Sequence, residues 1–228
     1  VFVINIYIFN KLGIKWKPDF KSWDKPLIKK LSAFSLMATV SGFVSPTMQI
    51  LVRDRIILKY SVTDAGYWQA VTKISDYYLG FITSVLVVYY MPRLSEIQSK
   101  AELKNEISRG YKIILPVVGV IAFLIWLFKT FIIHILFTPE FLPMESLFTY
   151  QLLGDFFKIG SWLLAYVMIA KAMTKTYIAT EIIFAASYVV FSYYFMNHYG
   201  LIGATYSFCI NYAVYWALMW VILRKKIS

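Results

Sequence analysis

Two oppositely charged pairs stand inside stretches that are otherwise apolar: Lys73 with Asp76, and Asp155 with Lys158. The members of each pair are three positions apart, so on a helix both side chains fall on one face. Thr72, Gly80 and Thr83 extend the first face, and Gln151 and Trp162 extend the second. An ionisable group at membrane depth costs about 2.5 to 3.5 kcal/mol on insertion scales, so it is retained where protein or water surrounds it. The chemistry open to such groups is electrostatic. An ammonium can hold an anion by charge-assisted hydrogen bonds, and a carboxylate can fix that ammonium, hold a cation or exchange a proton. The alternative is that each pair only neutralises itself within its own helix. Glu181, on a face with Tyr177, Phe184 and Tyr188, is either an interfacial anchor or a titrating cavity carboxylate.

A polar stripe adds to this set. Ser32, Ser35, Thr39, Gly42, Pro46, Gln49 and Arg53 follow one another at spacings of three and four, with Leu, Ile, Val, Met and Phe between them. Helical periodicity puts them on one side of a single span. That side either lines a cavity or packs against a partner helix, since small residues and hydroxyls are also common glue between membrane helices.

Covalent chemistry finds no support. No nucleophile and base arrangement, phosphate-cradling glycine loop or nucleotide motif occurs, so no catalytic residue is assigned and the chain is not read as an enzyme. His134 and His198 stand alone, without a second ligand at metal spacing, so no metal site is expected. Cys209 has no partner for an intrachain disulfide and reads as a small packing residue.

Spans must position these groups. The chain is 60% hydrophobic and 19% aromatic, with a mean hydropathy of +0.63. That composition predicts an all-α polytopic bundle rather than a soluble domain. Segments long and apolar enough to cross run from about Leu31 to Val52, Ala65 to Tyr90, Ile113 to Phe128, Leu147 to Ala170, Tyr177 to Met196 and Leu201 to Leu223. The third is the shortest and could extend through Thr130 to Phe137. Residues 1–9 read as the end of a truncated transmembrane helix, 10–30 as a basic cytoplasmic linker, and 31–228 as one six-helix lobe. At ~1.5 Å per residue, Asp76 lies ~24 Å from Pro92 and Asp155 ~24 Å from Lys171, so the two pairs share a depth.

Orientation follows from the basic residues. The net charge of +11 comes from the linker, from Arg93 to Lys112, from Lys171 and Lys175, and from the tail Arg224, Lys225 and Lys226. These regions alternate correctly with the spans, and the positive-inside rule makes their side, with the C-terminus, cytoplasmic. The charge also attracts anionic lipid headgroups. Nucleic acid is not an expected partner, because the basic residues lie in short loops and not on a folded soluble face.

The runs YWQAVTKISDYYLGF (Tyr67 to Phe81), MPRLSE (Met91 to Glu96), QLLGDFFKIG (Gln151 to Gly160), YVMIAKA (Tyr166 to Ala172) and GLIGATYSFCINYAVYW (Gly200 to Trp216) resemble the C-terminal half of Wzx-type flippases. These are the O-antigen and enterobacterial common antigen translocases of the multidrug/oligosaccharidyl-lipid/polysaccharide exporter superfamily. The resemblance implies two six-helix lobes around a central cavity, of which an N-terminal lobe would be missing here. It also implies transport of an undecaprenyl-diphosphate-linked oligosaccharide across the bacterial inner membrane for surface polysaccharide and lipopolysaccharide biosynthesis. A polysaccharide polymerase and chain-length proteins are the partners it suggests, beside membrane lipids.

On that reading Arg53, Lys73 and Lys158 are candidates to attract the diphosphate, and Thr39, Gln49 and Gln151 to contact sugar hydroxyls. Asp76, Asp155 and Glu181 could hold those cations or exchange a coupling proton or sodium ion; no other cofactor is expected. Lys73 stands where a small polar residue is expected in the nearest relatives. Gly42, Pro46 and Gly80 are plausible points of bending. Three other readings remain. A multidrug exporter of the same superfamily would want net acidic walls, against which three basic and two acidic candidates argue. A membrane-embedded polymerase or ligase would want a larger outer loop than Thr130 to Glu145. A scaffold would use the polar stripes only for packing.

Overall fold

Asp24 opens the first described helix: its carboxylate accepts the Leu27 N–H at 3.2 Å, and Pro26 follows within the first turn. The computed structural model describes residues 24–227, and among them every regular element is helical. The α-helices are α1 (Lys25–Lys59), α2 (Val62–Val85), α3 (Met91–Glu96), α4 (Lys100–Leu127), α5 (Lys129–Leu136), α6 (Phe148–Ala170), α7 (Thr174–Tyr199) and α8 (Gly203–Ile227). Residues 1–9, expected as a helix end, and most of the expected basic linker lie outside the described residues. The linker's last positions, Lys25 to Lys30, belong to α1.

Among the described residues five segments are long and apolar enough to cross a membrane, and the last of them covers 51 residues, Thr174–Arg224. It crosses twice, because Gly200 turns it back between α7 and α8 with φ +72° and ψ −157°, a conformation essentially restricted to glycine. Gly203 completes the corner: a Cβ there would stand 2.3 Å from the Phe195 carbonyl carbon. The described residues therefore form an all-α, multi-pass bundle of six crossings.

Proline sets a departure inside the second crossing. Pro92 has no N–H to donate, and the turn before it widens into a π-turn, Leu86–Tyr90, in which Met91 N–H reaches Leu86 O. The crossing continues through α3 without a break. The third crossing is longer than the apolar run Ile113 to Phe128 suggests, because α4 begins at Lys100. Thr130 to Phe137 does not extend it; α4 ends at Leu127, capped by Phe128, and α5 is a separate helix.

α6 is the central helix. It is buried along its whole length, from Phe148 through Leu152, Asp155, Ile159 and Leu163 to Met168. Gly154 allows α8 close to α6, since a Cβ there would meet Phe208 at 2.3 Å and the Cys209 Cα at 3.2 Å. Large side chains such as Phe43, Phe81, Val120, Phe131 and Val190 stand exposed on the outside of the bundle. In water that surface would aggregate; in a bilayer it is the lipid face.

The two ends are tied by different chemistry. At one, Lys171 Nζ donates to Ile97 O, and Arg93 meets Glu96 and Glu106 at 3.8 and 4.0 Å. At the other, Lys59 and Tyr60, at the end of α1, donate to Met196 O in the last turns of α7, and Arg55 donates to Asn197 Oδ1 at 3.2 Å. The described basic regions at 93–112, 171–175 and 224 share the first end, as the alternation of spans requires.

Candidate functional site

Faces of α1, α2, α6, α7 and α8 enclose a cavity of about 240 Å³. Its polar lining is Ser45 and Gln49 from α1, Thr72 and Asp76 from α2, Gln151 and Lys158 from α6, Glu181 from α7 and Asn211 from α8. Trp68, Trp162, Tyr188, Phe208, Tyr212 and Tyr215 supply aromatic walls. Hydrogen bonds fix the frame: Ser41 and Tyr177 hydroxyls meet at 2.8 Å between α1 and α7. Asn211 joins α8 to α7, accepting from Ser187 Oγ at 2.6 Å and donating to Phe184 O at 3.2 Å.

Lys158 is the cation of this cavity. Its Nζ lies 5.0 Å from the Trp162 ring centroid, 5.7 Å from Phe208 and 5.8 Å from Tyr212. Ring faces attract an ammonium, but each contributes only about 0.5 to 2 kcal/mol and none accepts a hydrogen bond along a lone pair. Among the described residues Lys158 Nζ has no ion pair within 4.0 Å and no hydrogen bond. An ammonium held by rings alone keeps its donors available for an anion or water.

The i to i+3 spacing of Asp155 and Lys158 suggests a pair, and the structure does not form one. Asp155 is fully buried. It accepts the Tyr78 hydroxyl from α2 at 2.8 Å, and Gln151 Nε2 approaches its other oxygen at 3.5 Å. Three helical positions rotate a side chain by ~60° around the axis, so Asp155 turns to α2 while Lys158 turns to the aromatic groups of α8. Asp155 is a buried link between helices and is not among the lining residues.

Lys73 and Asp76 do form their pair, at 3.6 Å, with the Lys73 side chain 64% exposed and outside the lining. Arg53 and Thr39 also lie on the exposed side of α1, away from the cavity. The cavity thus carries one cation and two carboxylates, Asp76 and Glu181, rather than the cationic excess the sequence suggested. The charge argument against a multidrug exporter does not hold for this lobe. Of the nine candidates, Gln49, Asp76, Gln151, Lys158 and Glu181 come together; Thr39, Arg53, Lys73 and Asp155 do not. Sequence reasoning set Trp162, Phe184 and Tyr188 on the faces that line the cavity but missed Asn211, Phe208 and Tyr212. Asn211, a carboxamide within an apolar span, carried a usable signal; Phe208 and Tyr212 carry none, since aromatic residues are common throughout the spans.

Of the polar stripe of α1, Gln49 alone turns into the lobe, where it lines the cavity. Ser32, Ser35, Thr39, Gly42, Pro46 and Arg53 are exposed, whereas Met37, Val52 and Ile56 are the buried positions and Ser41 bonds α7. A Cβ on Gly42 would meet nothing within 4 Å.

Comparison with known proteins gives concordant findings. Residues 3–146 match the family model described as polysaccharide biosynthesis protein. The chain is 36% identical over 197 residues to the Lipid III flippase of Escherichia coli (strain K12), covering 86% of this chain and 47% of that protein. It is 24% identical over 220 residues to a putative O-antigen transporter of Salmonella typhi, covering 90% and 48%. The chain therefore spans about half the length of the curated relatives it matches. In fold it is similar to the outward-facing conformation of a multidrug resistance MATE family transporter of the MOP superfamily, with a TM-score of 0.83 at 12% identity, over 99% of this chain and 53% of that one.

Proposed function

We propose that this chain, which belongs to the polysaccharide biosynthesis protein family, forms one lobe of a flippase that carries an undecaprenyl-diphosphate-linked oligosaccharide across the bacterial inner membrane. The observation that carries the proposal is Lys158, an ammonium held over three rings without a carboxylate partner in a polar cavity between membrane helices. The diphosphate and glycan cannot cross hydrocarbon unaided, while the polyprenyl tail need not leave it. Lys158 meets the diphosphate. Gln49, Gln151 and Asn211 meet sugar hydroxyls, and the aromatic walls accept the apolar faces of sugar rings. The exposed stripe of α1, with Thr39 and Arg53, faces a second lobe that completes the cavity. Rocking of the two lobes alternates access, with Gly42 and Pro46 as bending points in α1.

Asp76 and Glu181 are the residues available to a coupling proton or sodium ion. The basic end of the bundle faces the cytoplasm, the C-terminus included. A polysaccharide polymerase and chain-length proteins act downstream as partners. Chemistry on the glycan is not part of the reaction, and the family resemblance to transporters supports that.

The test is restoration of surface polysaccharide in a flippase-deficient strain by the complete protein carrying Lys158→Arg or Lys158→Gln, normalised to membrane level. Arg retains a cation and restores; Gln does not. Restoration by Gln equal to wild type would remove Lys158 from the substrate path. The two carboxylates and aromatic walls of the cavity also suit an organic cation, so efflux of ethidium is the second reading's measurement. Efflux that Lys158→Gln leaves intact, in a protein unable to restore polysaccharide, would favour that reading.

A further inference from the structure

Away from this cavity, α4 and α8 leave a groove between them that begins at the basic end of the bundle. Two adjoining hollows of about 360 and 400 Å³ share Tyr111 and Trp220. The first carries three cations, Lys104 and Lys112 from α4 and Arg224 from α8. The second runs along Ala213 and Ala217, with Trp216 beside them. Among the described residues none lines both this groove and the central cavity. α8 turns residues 208, 211, 212 and 215 to the cavity and residues 213, 216, 217 and 220 to the groove, as helical periodicity requires.

The groove is rigid at its base. Tyr111 donates to Gly160 O at 2.7 Å and accepts from Trp216 Nε1 at 2.8 Å, and the two rings stack at 5.9 Å. Trp220 is exposed at the mouth, between the cations and the apolar channel. Among the described residues none of Lys104, Lys112 and Arg224 is in an ion pair, and no carboxylate lines the groove. Cations and an indole at the end of a membrane helix, above a channel floored by alanine, match a lipid with an anionic headgroup and a chain of methylenes.

We propose that the groove between α4 and α8 binds an anionic phospholipid of the leaflet at the basic end. Its phosphate sits among Lys104, Lys112 and Arg224, and one acyl chain lies along Ala213 and Ala217. The site is independent of the transport reading, because it uses none of the cavity residues. It fixes the depth of α4 and α8 relative to the leaflet while the opposite face of the lobe works.

Native mass spectrometry of the detergent-solubilised protein, titrated with dioleoyl phosphatidylglycerol or dioleoyl phosphatidylcholine, tests this. Phosphatidylglycerol binds more tightly than phosphatidylcholine. The triple variant Lys104→Gln, Lys112→Gln, Arg224→Gln loses affinity about fivefold per charge, about a hundredfold in all, for a headgroup near the surface. Ala217→Trp keeps every charge but fills the channel, and lowers the same affinity about tenfold, which attraction to a basic surface alone would not do. Lys129→Gln, at the other end, leaves it unchanged. Equal binding of the two lipids, wild-type affinity in the triple variant, or wild-type affinity in Ala217→Trp would each overturn the site. So would displacement of phosphatidylglycerol by equimolar undecaprenyl phosphate, which would assign the groove to the transported lipid class instead.

Discussion

Tyr78 on α2 donates its hydroxyl hydrogen to Asp155 on α6 at 2.8 Å, across 77 positions of sequence. Asp155 is wholly enclosed, and Gln151 Nε2 approaches its other oxygen at 3.5 Å. A carboxyl group that serves as a buried link behaves differently under substitution from one that serves as a salt-bridge partner.

Asp155→Asn, which keeps an acceptor for Tyr78, retains most membrane-inserted protein. Asp155→Leu leaves the Tyr78 hydroxyl unpaired and costs about 1 to 3 kcal/mol. The exchange Asp155→Lys with Lys158→Asp buries an ammonium beside Tyr78 and lowers the folded fraction further, because the two residues are not partners. Fluorescence-detected size exclusion of each variant measures this; an exchange variant as monodisperse as wild type would show that the pair acts locally after all.

Helix approach gives a second expectation. Gly203→Ala places a Cβ 2.3 Å from the backbone of Phe195, which cannot yield as a side-chain tip can. It lowers the midpoint of thermal unfolding more than Gly154→Ala, whose nearest neighbour is the Phe208 ring at 2.3 Å. Gly42→Ala meets nothing within 4 Å and leaves the midpoint unchanged or raised. A ranking with Gly42→Ala as the most damaging would contradict the packing described.

Water reaches the stripe of α1 if it faces a second lobe across a cavity. In a Cys209→Ala background of the complete protein, cysteines at Thr39, Gln49 and Arg53 react with a small charged thiol reagent. One at Val120 of α4, exposed beside Pro116, Val117, Phe123 and Leu124, does not. Equal protection of all four would return the stripe to helix packing.

Topology is checked in intact cells. A cysteine replacing Lys104 is protected from an impermeant reagent, and one replacing Glu140, in the short helical turn between α5 and α6, is labelled. The reverse pattern would invert the orientation.

Much of the bundle is written in local sequence. Runs of apolar residues mark the crossings, and the corner at Gly200 and Gly203 is readable from two glycines between them. The start of α4 was hidden because Lys104, Arg109 and Lys112 read as a loop, whereas a helix can carry them through the headgroup layer on its polar side. Gln49, Asp76, Gln151, Lys158 and Glu181 could be nominated because polar groups are costly in a span. Their partners could not. Spacing shows which residues share a face, but Tyr78 and Phe208 are brought to Asp155 and Lys158 by the approach of other helices, and that approach has no local signal. Arg53 and Thr39 were assigned to the same cavity because the sequence cannot separate the inner and outer sides of a polar helix face.

The central claim is that Lys158 holds the anionic headgroup during transport, and translocation in vesicles tests it most directly. The complete protein is reconstituted, and the outward appearance of labelled undecaprenyl-diphosphate-linked oligosaccharide is followed for wild type, Lys158→Arg and Lys158→Gln at equal density. Loss of one charge-assisted contact is worth about 1.5 to 3 kcal/mol, so Lys158→Gln slows translocation about tenfold to a hundredfold while Lys158→Arg stays within about tenfold of wild type. A rate for Lys158→Gln equal to wild type, with the protein folded and inserted, would contradict the account.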